Sequence, residues 1–103
     1  MLPRASSGPQ ADGEQVRLTA RVAGSVQGVG FRWWTRARAL ELALTGSATN
    51  LPGGGVEVVA QGPRAACERL LALLEAGGGP GSTEHVAHWW GPVRQGVQGF
   101  VER

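Results

Sequence analysis

Residues 16–44, VRLTARVAGSVQGVGFRWWTRARALELAL, change periodicity twice. Val16, Leu18, Ala20 and Val22 alternate with Arg17, Thr19 and Arg21, the two-residue period of a half-buried strand. From Phe31 onward the period becomes helical: Trp33, Ala37, Leu40 and Leu44 share one stripe, with Phe31, Ala39 and Leu42 offset from it. Trp33 and Trp34 lie about 100° apart on such a helix, so one of them covers the rim of the core. Between strand and helix stands GSVQGVGFR, residues 24–32, with three glycines and an arginine.

Outward from this unit the remaining elements follow. Residues 1–15 are rich in Pro, Gly, Ser and Gln and read as a flexible leader, which leaves 16–103 as one domain. TGSATNLPGGGVEVVAQG, residues 45–62, reads as a hairpin around Pro52 to Gly55, with its second strand over Val56 to Gln61. Pro63 suits a first helical turn, and Cys67, Leu70, Leu71 and Leu74 give a second helix that stops at Gly77. Residues 77–81 form a connection, Thr83 to Trp90 a fourth strand, and QGFVER a short terminal one. The order β-α-β-β-α-β is the ferredoxin-like split βαβ of the α+β class, an antiparallel sheet with two helices on one face.

Composition narrows the function classes. The isoelectric point of about 10.0 suggests a polyanion binder, yet the net charge is only +2. Both hold because all ten basic side chains are arginine and there is no Lys or Tyr to titrate between Cys67 and the guanidinium groups. The single cysteine excludes an intramolecular disulfide framework and a cysteine metal cluster. No run reaches the roughly 18 to 20 apolar residues of a membrane span, so no membrane partner and a cytoplasmic location are expected.

A glycine loop that leaves a strand and opens a helix can turn successive backbone N–H groups toward an anion, and the helix N-terminus adds positive potential. Arg32 stands where its fork could close over a phosphate. GSVQGVGFR lacks the Lys-Ser/Thr ending of a P-loop, and Gly28-Val29-Gly30 lacks the third glycine and downstream acid of a dinucleotide fingerprint. On spacing alone the stretch reads equally as a glycine turn beside a solvated arginine, and Asn50 alone as a turn residue before Leu51-Pro52.

The residues nevertheless resemble a known signature. Gly24, Val26, Gln27, Gly28, Val29, Phe31 and Arg32 match the Gly-x-Val-Gln-Gly-Val-x-Phe-Arg loop of the acylphosphatase family. GSATNLPGGGVEV is similar to the family's second signature through Gly46, Asn50, Gly54, Val56 and Glu57, and the likeness covers about residues 16–101. The resemblance implies a ferredoxin-like hydrolase that splits acyl phosphates into a carboxylate and inorganic phosphate. It further implies that Arg32 and the backbone N–H groups of Gln27, Gly28, Val29, Gly30, Phe31 and Arg32 bind the phosphoryl group, while Asn50 positions the attacking water. An acyl phosphate already carries a good leaving group, so neither cofactor nor metal is expected; charge neutralisation and a placed water suffice. The amide of Asn is an acceptor and a donor but not a base, so a substrate oxygen takes the proton.

Ser47, Ala48 and Thr49 depart from the Trp-Val-Arg that the resemblance implies, and Trp33, Trp34, Trp89 and Trp90 are candidates to fill the space. His85 and His88 have an H-x-x-H spacing, but on a strand they point to opposite faces and cannot share a metal. An RRM-like RNA-binding module shares the element order but needs aromatics on the open sheet face; the first strand offers Arg17, Thr19 and Arg21 there, so no nucleic-acid partner is expected. The other alternative is a non-catalytic anion-binding or regulatory domain, against which stands the presence of both Arg32 and Asn50. A monomer acting on a small molecule, with phosphate or another oxyanion as product or inhibitor, completes the expectation.

Overall fold

The computed structural model describes residues 14–103. The leader expected over 1–15 therefore lies almost wholly outside the described residues. The elements run β1 (Gln15–Ser25), α1 (Phe31–Glu41), β2 (Thr45–Asn50), β3 (Val56–Pro63), α2 (Arg64–Glu75), β4 (Ser82–Gly91) and β5 (Phe100–Glu102). They form one five-stranded sheet in the order β4-β1-β3-β2-β5, antiparallel except that β5 runs parallel to β2. This is the ferredoxin-like α+β arrangement, with the trailing strand added at the β2 edge.

Alternation along β1 decides which face is covered. Val16, Leu18, Ala20 and Val22 are buried, as are their neighbours Val56, Val58 and Ala60 on β3, and both helices pack on that side. Cys67, Leu70, Leu71 and Leu74 form the buried face of α2, as the periodicity predicts. Gly77 follows that helix with φ 70°, the left-handed conformation that suits glycine just beyond a helix end.

Helix α1 turns a different face inward from the one its hydrophobicity suggests. Phe31, Thr35 and Ala39 are buried, whereas Trp33 is 63% exposed and Leu40 is exposed as well. Two residues of helix separate the stripes by about 200°, so these are opposite sides. Phe31 is pulled under the glycine loop beside the core, and the small Thr35 and Ala39 behind it let the helix approach the sheet, where an indole would not fit. The helix ends at Glu41, three residues before Leu44. Ala43 adopts φ 58°, its N–H donates to Leu40 O at 3.0 Å, and Leu44 N–H donates to Ala39 O at 2.9 Å. Those two bonds form a Schellman motif with alanine where glycine is usual, and Leu44 is buried as its apolar clasp.

The tryptophans do not fill the space beside Ser47–Thr49. Ser47 and Thr49 pair with Val59 and Glu57 and project from the open face, away from the helices that carry Trp33 and Trp34. Trp34 covers the core rim against Phe31, with ring centroids 5.8 Å apart. Trp89 and Trp90 belong to β4, separated from β2 by β1 and β3. His85 pairs with Ala23 and His88 with the buried-face residue Ala20, which places the two rings on opposite sides of the sheet.

Candidate active site

The glycine loop is pinned at both ends by buried side chains, Val26 at 1% exposure and Phe31 at 2%. Between them Gln27, Gly28, Val29 and Gly30 are exposed. Gly28 and Gly30 have φ of 77° and 88°, left-handed values at alternate positions, the backbone alternation from which anion-binding nests are built. Among the described residues, the N–H groups of Gln27 to Arg32 donate to no other main-chain oxygen. Gly30 caps α1 without a side-chain hydrogen bond, and the first turn holds no acidic residue to neutralise its positive end. The result is a run of main-chain donors without main-chain acceptors at the start of a helix.

Arg32 follows in the first turn of α1. Its Nη1 donates to the main-chain oxygen of Arg103, which also accepts from the backbone N–H of Asn50 at 3.3 Å. One oxygen thus links the two residues that the sequence singles out, although they come from a helix and a strand. The Arg103 N–H in turn donates to Ala48 O at 2.8 Å, so the link continues the β2–β5 pairing. Arg36, one helical turn along from Arg32, donates from Nε to Phe100 O at 2.9 Å. Arg32 has no Asp or Glu partner among the described residues.

Asn50 ends β2 opposite Val56, on the covered side of the sheet, so the departures at Ser47 and Thr49 point away from it. Its Oδ1 is buried without a hydrogen-bond partner. An unpaired buried amide oxygen is costly, and a water placed there would satisfy it.

Gln27 has a second part that the sequence did not reveal. Its side-chain amide donates to Leu51 O at 2.8 Å and to Gly55 O at 2.7 Å, tying the loop to the β2–β3 turn that follows Asn50. A long amide among glycines was the available signal, since a residue chosen only for its backbone N–H could be of any type. The main-chain oxygen of Arg103 gave no signal, because the link depends on β5 returning beside β2.

A run of main-chain N–H donors, the Arg32 guanidinium and an orphaned amide acceptor can together bind a tetrahedral oxyanion and hold a water near it. The acylphosphatase family profile matches residues 18–101. The chain is 65% identical over 92 residues to an acylphosphatase of Saccharopolyspora erythraea, covering 89% of this chain and 97% of that one. It is 64% identical over 90 residues to an acylphosphatase of Thermobifida fusca, covering 87% and 99%. The solved structure of an acylphosphatase from Coxiella burnetii superimposes with a TM-score of 0.80 at 34% identity, over 91% of this chain and 98% of that one. Fold and family define a small α+β hydrolase, and the chain belongs to the acylphosphatase family. It hydrolyses the carboxyl-phosphate bond of small acyl phosphates. Among the described residues no helix is long and apolar enough to cross a membrane.

Proposed function

We propose that Arg32 and the N–H groups of Gln27 to Arg32 hold the phosphoryl group of the acyl phosphate, and that Asn50 orients the water attacking in line with the leaving carboxylate. The observation that carries this reading is the shared Arg103 oxygen, which ties Arg32 and Asn50 into one unit at the mouth of the loop. The unpaired loop N–H groups and the orphaned Asn50 Oδ1 support the same division of labour. As the bond to the leaving carboxylate breaks, negative charge on the phosphoryl oxygens meets donors already aimed, so little reorganisation is needed. The water passes its proton to a substrate oxygen because the Asn50 amide cannot accept one.

In this reading residues 16–103 are the catalytic domain and the enzyme is a cytoplasmic monomer. Inorganic phosphate, as product, binds the cradle and inhibits. The test is a phosphate titration followed by amide NMR. Saturable shifts of the Gln27 to Arg32 amides, abolished in Arg32→Ala, are expected; shifts elsewhere with the loop amides unmoved would overturn the assignment.

A further inference from the structure

The open face of the sheet carries a cluster that the cradle does not use. Arg17, Thr19 and Arg21 project there from β1, and the register places Trp89 of β4 opposite Thr19. Arg94, in the segment after β4, returns over the same face. Its N–H donates to Gln61 Oε1 at 2.7 Å, and Gln61 Nε2 donates to Arg94 O at 3.2 Å. The same Gln61 Oε1 accepts from Arg17 Nη1 at 2.9 Å, and Gln61 is only 7% exposed. One buried amide therefore fixes both the Arg17 side chain and the Arg94 backbone.

These residues line a depression of about 200 Å³, with Arg17, Thr19, Trp89, Pro92, Val93 and Arg94 around it. Neither Arg17 nor Arg94 has a carboxylate within ion-pair distance among the described residues. Burial, and then the Arg94 charge, push the Arg17 guanidinium below its ordinary pKa, with Glu57 opposing them. Arginine stays protonated all the same, so the crowding persists as positive potential that an anion would relieve. Trp89 is 47% exposed. The Arg21 guanidinium lies 5.5 Å from its ring centre and is itself paired with Glu57 at 3.0 Å, while the depression opens on the Arg17 side.

We propose that this depression is a second binding site, separate from the cradle, for a small planar aromatic oxyanion whose charged group sits between Arg17 and Arg94 and whose ring packs on Trp89. The two forks match a carboxylate or a phosphate monoester alike, and the indole supplies a stacking surface. The volume suits one ring and its anionic group. Trp89 is the one large aromatic ring on this face among the described residues, so a single ring fits better than a nucleic-acid strand, which needs successive stacking platforms.

Benzoate and phenyl phosphate are the probes, titrated into the whole protein and followed by the Trp89 indole and Arg17 and Arg94 side-chain N–H resonances. Saturable shifts at those groups with either probe, retained in Arg32→Ala, are expected. Arg94→Gln, at an exposed position whose fold contacts are main-chain, should weaken binding about tenfold, the worth of one hydrogen bond to a charged group, and Trp89→Leu should also weaken it. Arg94→Gln should leave benzoyl phosphate turnover unchanged, which separates this site from the cradle. Probe-induced shifts confined to residues 27–32 and lost in Arg32→Ala would overturn the proposal. So would inorganic phosphate binding the depression as tightly as phenyl phosphate does.

Discussion

Thr35 sits at 0% exposure in the middle of the buried face of α1, and its Oγ1 has no hydrogen-bond partner. A buried hydroxyl without a partner costs more than a methyl of the same size, so Thr35→Val should raise stability by about 1 kcal/mol in urea unfolding. Ala43 presents the converse case, in which the backbone and not the side chain is misfit. Holding alanine at φ 58° costs roughly 1 to 2 kcal/mol, partly offset by the freedom glycine would add to the unfolded chain. Ala43→Gly should therefore stabilise by about 0.5 to 1 kcal/mol, and a fall in the unfolding midpoint would contradict the Schellman ending of α1. Neither residue stood out in the sequence. The outcome at Thr35 depends on which side of α1 meets the sheet, and hydrophobicity favoured the side bearing Trp33 and Leu40.

Two contacts between elements hold the site in register. Gln27 joins the glycine loop to the β2–β3 turn through two side-chain hydrogen bonds, and Gln27→Ala removes both. That variant should lose about 1 to 2 kcal/mol of stability and, because the turn follows Asn50 directly, also lose turnover. A Gln27→Ala enzyme with unchanged stability and rate would show the tie to be idle. Gly46 allows β2 to close against β3: a Cβ there would stand 1.8 Å from Val59 O. Gly46 N–H also donates to Gly99 O at 2.9 Å, which leads β5 toward Arg103. Gly46→Ala should cost about 3 kcal/mol through overpacking and shift Arg103, which calorimetry and turnover would both register. The strands and the loop were legible because alternation and glycine placement are local signals. The parallel return of β5 was visible only as a short strand, since its partner lies more than fifty residues away.

At the scale of the molecule, the α+β order and both signature loops could be read from the sequence because each local pattern agreed with the fold. What could not be read came from long-range packing: the inward face of α1, the Arg103 oxygen shared by Arg32 and Asn50, and the cluster around Trp89. Electrostatics contribute little to overall stability, since the ion pairs lie largely at the surface. The buried Cys67 is different. Burial, opposed by Arg64 and reinforced by Glu68, raises its thiol from 9.0 to about 11. The fold thus favours the neutral thiol, so its contribution is complete below about pH 9 and disappears as the pH rises toward 11. With no Lys or Tyr titrating in that window, unfolding in urea should show a decline between those pH values that Cys67→Ala flattens. The central claim concerns the pairing of Arg32 with Asn50, and the most direct measurement is phosphate release from benzoyl phosphate by wild type, Arg32→Ala and Asn50→Ala, each confirmed folded by circular dichroism. Rapid hydrolysis by the wild type that falls on the order of 10²- to 10³-fold in both variants is the predicted result. A folded Asn50→Ala enzyme turning over at the wild-type rate would contradict it.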